Sequence, residues 1–250
     1  LAYWLLRYGH QPTLIEEARQ LRTGGYILDF WGLGFDIAEK MGIIPELLRV
    51  GYVIEELRLV DTKGRRVGGF PTGVINELTK GRYVSLPRGE LARAIYRTIE
   101  GQVETIFGDR ITQLVSASDC VHVKFEHAAP RDFDLVVGAD GLHSNVRRLM
   151  FGTSARGETD LGYGVAAFEL AGYHPRDELT YVSYNCPGKQ VARFAMNGDR
   201  TLILLVFARD GAAGAGAEEL RSGTDLGAPR RELHRLFDNA GWECAQIIDR

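Results

Sequence analysis

The stretch that most constrains this 250-residue chain is Asp134–Arg147, reading DLVVGADGLHSNVR. Leu135-Val136-Val137 is a short, β-branched apolar run, and Gly138-Ala139-Asp140-Gly141 closes it at once. That pattern predicts a buried parallel strand ending in a tight turn, where small residues let a backbone approach another group closely. Ser144 and Asn145 then open a helix, with Arg147 and Arg148 one turn further on. A strand, an Asp-Gly turn and a helix start form a crevice lined by N–H groups, which suit phosphate, and by one carboxylate, which accepts from hydroxyls. An ordinary βα turn is the plainer alternative.

The length suits one large domain or two modest ones. Apolar content of 45% and charged content of 25% are those of a globular protein. A net charge of −3 without a basic block argues against a dedicated nucleic-acid binder. Cys120, Cys186 and Cys244 are odd in number and far apart, which predicts neither a disulfide framework nor a metal cluster and makes a reducing cytoplasm the expected compartment. Cys120, His122 and His127 are too irregularly spaced for a ligand set, and no histidine pair has H-x-x-x-H spacing, so no metal is expected. No apolar run reaches the ~18 residues of a spanning helix. Leu1–Gly9 reads as the rear of a helix closed by glycine, so the chain looks cut inside an element.

Gln11–Glu17 is a short strand ending in two carboxylates. Helix, glycine, strand and acid make the rear half of a βαβ dinucleotide unit, whose acid bonds a ribose. No G-x-G-x-x-G loop accompanies it: Gly32-Leu33-Gly34 lacks the third glycine, and residues 211–216 read as a surface loop. Asp36–Arg49 is helical with a break at Gly42, and 55–70 alternates about a Thr62-Lys63-Gly64 turn as a hairpin. Residues 71–81 are turn-rich, 83–86 extended, and a helix runs from Arg88 through Ile99. Strands follow at 103–107, 111–115 and 120–127, then at 163–171, 180–184, 191–195 and 201–208, with Asn197-Gly198 a strong hairpin signal. Pro229 opens an amphipathic helix through Leu233, Leu236 and Phe237. Asp140, His143 and Ser144 sit too close along one turn to converge as a hydrolase triad.

The pattern D-G-x-x-S-x-x-R, carried by Asp140, Gly141, Ser144 and Arg147, resembles the second fingerprint of the FAD-dependent aromatic hydroxylases of the para-hydroxybenzoate hydroxylase type. The resemblance implies an α/β (α+β) fold: a Rossmann-like FAD-binding domain with an inserted antiparallel β-sheet substrate domain. It implies residues 1–70 and 86–155 for the first, 71–85 and 156–217 for the second, and 218–250 as a helical return. Glu16 would then serve the ribose, with Glu17 where arginine is usual, and Arg22 the pyrophosphate and flavin edge. Arg88, in an R-x-x-L element, would reach the cofactor from a helix start, and the backbone at Val103 would meet the adenine. Asp140, Gly141 and Arg147 would serve the pyrophosphate and ribityl region and the nicotinamide donor. A solvated strand end for Glu16 and surface positions for the arginines are the plainer readings.

The family's glycine-rich loop and G-D motif do not occur in the sequence, so part of an FAD site is expected. The implied enzyme is a flavin-dependent monooxygenase without catalytic side chains of its own, since the flavin carries the chemistry. NADPH or NADH would reduce FAD, and a C4a-hydroperoxide formed with O₂ would hydroxylate an aromatic, polyketide or antibiotic-like molecule. Tyr181, Tyr184 and Phe194 are candidates to line the pocket, the two tyrosines on opposite faces of one strand because their spacing is odd. The alternatives are a reductase or halogenase on the same scaffold, and a cofactor-free relic acting as a binding module.

Overall fold

Thr13–Glu16 (β1) and Glu104–Phe107 (β6) pair in parallel, Thr13 opposite Glu104 and Glu16 opposite Phe107. They belong to the first of two units, Leu1–Thr23 with Ala92–Asp160; the second is Gly24–Leu91 with Leu161–Arg250. The computed structural model describes residues 1–21, 25–152, 159–209 and 228–250. The fold is mixed α/β, as the sequence predicts.

In the first unit, helix α1 (Ala2–Arg7) is closed by Gly9 in the left-handed region. Ala2, Ile99 and Val103 form a small core with Leu6, Leu14 and Tyr96. Helix α5 (Arg88–Arg97) precedes β6, and its residues 88–91 cluster with the second unit. Strands β7 (Ile111–Ser116), β8 (Val121–Phe125) and β9 (Arg131–Phe133) form an antiparallel sheet, and α6 (Asn145–Phe151) is pinned to β7 by a 2.6 Å bond from the Asn145 amide to the Ile111 carbonyl. The turn after β6 is built around Asp109, only 3% exposed. Its carboxylate accepts backbone N–H bonds from Arg110, Glu126, His127 and Ala128 at 2.8–3.1 Å. Burial opposes its charge, but these four donors outweigh it and hold the carboxyl below the ordinary carboxylate range.

The expected buried strand at Leu135–Val137 does not form. The run joins no ladder, and Leu135 and Val137 are 73% and 51% exposed. An apolar run becomes a strand only where a neighbour completes its hydrogen bonds, and among the described residues none lies alongside.

The second unit is dominated by a six-stranded sheet made of β3 (Glu56–Val60), β4 (Arg66–Pro71), β10 (Tyr163–Ala171), β11 (Thr180–Cys186), β12 (Lys189–Met196) and β13 (Arg200–Ala208), in the order β10-β13-β12-β11-β3-β4. It is antiparallel except that β3 lies parallel to β11. The hairpin expected at Asn197-Gly198 forms, but as a three-residue β12–β13 turn in which Gly198 and Asp199, not Asn197, take positive φ. The 56–71 hairpin, which the sequence reading places with the cofactor domain, extends the large sheet through the β3–β11 ladder. Residues 71–81, read as turns, contain helix α4 (Gly73–Leu78). Strands β2 (Ile27–Trp31) and β5 (Tyr83–Pro87) form a separate antiparallel pair, and the 36–49 helix is two, α2 (Leu33–Lys40) and α3 (Ile44–Val50), split where Gly42 takes positive φ.

One face of the large sheet is closed by α7 (Ala228–Phe237) and α8 (Cys244–Asp249), whose Phe237, Ile247 and Ile248 pack on Val182, Tyr184, Ile203 and Leu205. Arg193, on β12 and 3% exposed, pairs with Asp177 at 2.6 Å and Glu243 at 2.9 Å, and Tyr173 donates to the same Glu243.

Candidate functional site

The Asp140 turn shows what its residues do. Gly141 sits at φ +80°, which favours glycine, and a Cβ there would meet nothing within 4 Å, so the turn faces open space. Gly138 is small for another reason: a Cβ would come within 2.9 Å of the Val146 side chain. Asp140 accepts from the Ser144 hydroxyl with one oxygen and from the Val146 N–H, at 2.9 Å, with the other. Partial burial opposes its charge, yet the Ser144 and backbone donors prevail and hold it below the ordinary carboxylate range. Ser144 caps α6 by accepting from the Arg147 N–H, and the Arg147 guanidinium donates to the Leu142 carbonyl at 2.5 Å. Two N–H groups that the sequence assigned to phosphate are thus satisfied within the turn. The feature left facing solvent is an ionised carboxylate with lone pairs to spare.

Glu16 ends β1, and its carboxylate accepts from the Ala18 N–H at 2.9 Å. Backbone bonds from Gly108 N–H to the Ala18 carbonyl and from Asp109 N–H to the Glu16 carbonyl stitch the mouths of β1 and β6 together. Val103 does not join them. It precedes Glu104, which pairs with Thr13, so it lies at the opposite end of the parallel pair, roughly 13 Å away at ~3.3 Å per residue. Its side chain is core, packed with Ala2 and Ile99. The residue level with Glu16 is Phe107. A cavity of about 500 Å³ opens on this side, lined by Arg19, Gln20, Arg93, Tyr96, Arg97 and Phe107 among others. Its lining carries three guanidinium groups and the Glu100 carboxylate.

Arg22 lies outside the described residues, as do 211–216. Arg88 belongs to the second unit, as the exposed first residue of α5, where its N–H donates to the Tyr26 carbonyl at 3.1 Å. In the same unit the sequence reading missed a polar group on the β2–β5 pair. Asp29 accepts from the Tyr83 hydroxyl at 2.7 Å and the Ser85 hydroxyl at 2.6 Å. The available signal was a lone aspartate inside the run Ile27-Leu28-Asp29-Phe30-Trp31.

The tyrosines do face opposite sides of β11. Tyr184 is buried under α7 and α8, its hydroxyl donating to the Ala240 carbonyl, and so is a core residue. Phe194 is also core, stacked edge-on against Tyr52 at 5.1 Å. Tyr181 is the partly exposed one; burial, and then the Asp29 carboxylate, push its phenol up to about 12.

No family model matches the chain. The uncharacterized protein Rv1260 of Mycobacterium tuberculosis is 34% identical over 258 residues, which cover 99% of the chain and 65% of that protein. The FAD-dependent monooxygenase asL4 of Sarocladium schorii is 25% identical over 258 residues, covering 100% of the chain and 59% of that protein. Among solved structures, that of the tetracycline destructase Tet(51) superposes with a TM-score of 0.75 at 25% identity, over 99% of the chain and 62% of its own. The chain thus spans less than two thirds of the length of these proteins. No described helix is long and apolar enough to cross a membrane.

Proposed function

The chain belongs to the FAD-dependent monooxygenases of the aromatic-hydroxylase type, and from that premise we propose that the whole protein is an oxidoreductase that hydroxylates a small aromatic molecule. The observation that carries this reading is the Asp140 turn, an exposed and ionised carboxylate held rigidly beside an open, glycine-shaped backbone. That arrangement fits the hydroxyl-rich part of FAD: Asp140 would accept from its hydroxyls, and Gly141 would let it approach. Arg147 would act indirectly, by fixing the Leu142 carbonyl and hence the shape of the turn. Glu16, at the mouth of β1, would accept from the ribose. Arg88 and Arg22 would serve the phosphates, whose charge a guanidinium matches in bidentate fashion. Val103, whose side chain belongs to the core, would meet the adenine through its backbone alone.

When bound, FAD would supply the redox chemistry that takes electrons from NADPH or NADH and uses O₂ to hydroxylate the substrate. The protein's task is then to hold the substrate and exclude water. Tyr181, with an aromatic face and a phenol kept protonated at neutral pH, is the proposed substrate contact on the sheet. The name of Tet(51) supports an antibiotic-like substrate class. Purified whole protein is expected to carry oxidised-flavin absorbance, and a phenolic substrate to accelerate NADPH or NADH oxidation with uptake of O₂. Colourless protein that takes up no added FAD would overturn the reading.

A further inference from the structure

Cys120, His122 and Asp132 are far from regular in sequence, yet the sheet collects them. Cys120 and His122 are two residues apart and so project from the same face of the β8 hairpin arm, while β9 sets Asp132 directly opposite His122. The inward positions between them, Val121, Val123 and Phe125, alternate toward the core, so this trio stands on the solvent side. A ligand atom from each residue lies within 4.8 Å of the other two. His122 Nδ1 is 2.5 Å from Asp132 Oδ1, and the Cys120 sulfur is 3.8 Å from Nε2 and 3.9 Å from Nδ1.

We propose that Cys120, His122 and Asp132 form a three-donor site for a divalent cation of the zinc class, which would clip β9 to β8. Thiolate and imidazole favour such borderline ions and are poor ligands for magnesium or calcium. Metal–sulfur and metal–nitrogen bonds of ~2.3 and ~2.0 Å in a tetrahedral site set the two donors about 3.5 Å apart, close to the separation seen here. The imidazole and carboxylate are largely exposed, so their rotamers can adjust, and water would complete the four positions. Asp119 and Asp134 also act on the thiol, making the rim acidic and suited to a cation.

A Cys-His-Asp nucleophile is the competing use of the same atoms. The sulfur is almost equidistant from both ring nitrogens, so the exposed imidazole must turn before either a cation or the thiol proton lies along a nitrogen lone pair, and the titration below separates the two uses. The sequence missed the set because it considered His127 as the third member, whereas the donor comes from the neighbouring strand. The chain runs straight from β9 into Asp134 and the Asp140 turn, so a cation here would steady the entrance to that turn.

The test is to titrate Co²⁺ into the full chain after chelator treatment and thiol reduction. One ion per chain is expected, with a thiolate-to-cobalt charge-transfer band that Zn²⁺ abolishes by displacement, and Zn²⁺ is expected to raise Tm. Cys120→Ser should lose the band, and His122→Gln and Asp132→Asn should weaken binding, all with unchanged circular dichroism. The proposal is overturned if wild type shows no band, if Cys120→Ser keeps it through Cys186 or Cys244, or if His122→Gln and Asp132→Asn both bind as wild type does.

Discussion

Two regions of this molecule treat their polar groups in opposite ways. Under α7 and α8, the charged groups of the large sheet are consumed internally: Arg193 by Asp177 and Glu243, Glu243 also by Tyr173, and the Tyr184 hydroxyl by the Ala240 carbonyl. At the Asp140 turn the carboxylate is exposed, the preceding apolar run has no ladder, and the glycine faces open space. Buried charges are tolerated only when paired, so the first region is about stability. Polar groups held rigid yet open are more costly to maintain and point to a ligand. Asp109 and Asp140 repeat the contrast inside the first unit: both are held below the usual carboxylate range, but Asp109 spends its capacity on four N–H groups of its own unit.

The contrast can be broken most severely at Arg193. Arg193→Met leaves Asp177 to Arg58 and Glu243 to the Tyr173 hydroxyl, each without its buried cation, and should cost on the order of 3 kcal/mol, or about 6–12 °C in Tm, by calorimetry. Flavin content of the fraction that remains folded should be unchanged; a loss of flavin with intact stability would erase the distinction between the regions.

Asp109→Asn comes next, since an amide cannot accept all four N–H bonds, and Tm should fall on the order of 5 °C. This difference should depend on pH. The folded carboxyl lies below its ordinary value of 3.8, so as acid is added the unfolded chain takes up the proton first. The stabilisation is complete above that ordinary value and is lost as the pH falls through it toward the folded one. The Tm gap between wild type and Asp109→Asn should therefore be steady from neutrality to about pH 5 and narrow below about pH 4. A gap that persists in acid would show that the charge plays no part.

The smallest effects separate the two faces of β11. Tyr184→Phe leaves the Ala240 carbonyl without its donor and should cost about 1 kcal/mol with KM unaltered. Tyr181→Phe should cost less than about 0.5 kcal/mol, yet raise KM for the aromatic substrate. The reverse pattern in denaturant titrations and steady-state kinetics would assign the substrate face to the helix-covered side.

Elements with local signals were legible in the sequence: the Gly9 stop, the Gly42 break, the alternating strands from Tyr163 to Ala208, the Asn197-Gly198 turn and the Ser144 cap. What escaped depends on partners distant in the chain. Asp109 finds three of its four donors 17 to 19 residues on, Asp29 finds Tyr83 and Ser85 across a strand pair, and Asp132 reaches His122 through register alone. Leu135–Val137 failed in the other direction: a strand-like pattern does not provide the neighbour that a ladder requires. The strand signal at Val103 likewise did not say which of its ends faces the mouth at Glu16.

We propose that the Asp140 turn is kept open for a cofactor rather than for the fold. The most direct measurement is FAD affinity, by flavin fluorescence titration of whole protein, for wild type, Asp140→Ala and Asp109→Asn with Tm recorded in parallel. Loss of a charge-assisted acceptor predicts roughly 10- to 100-fold weaker FAD binding for Asp140→Ala, with Tm close to wild type, and near-normal affinity with a depressed Tm for Asp109→Asn. If Asp140→Ala binds FAD as wild type does and loses stability as Asp109→Asn does, the turn is structural and the account is wrong.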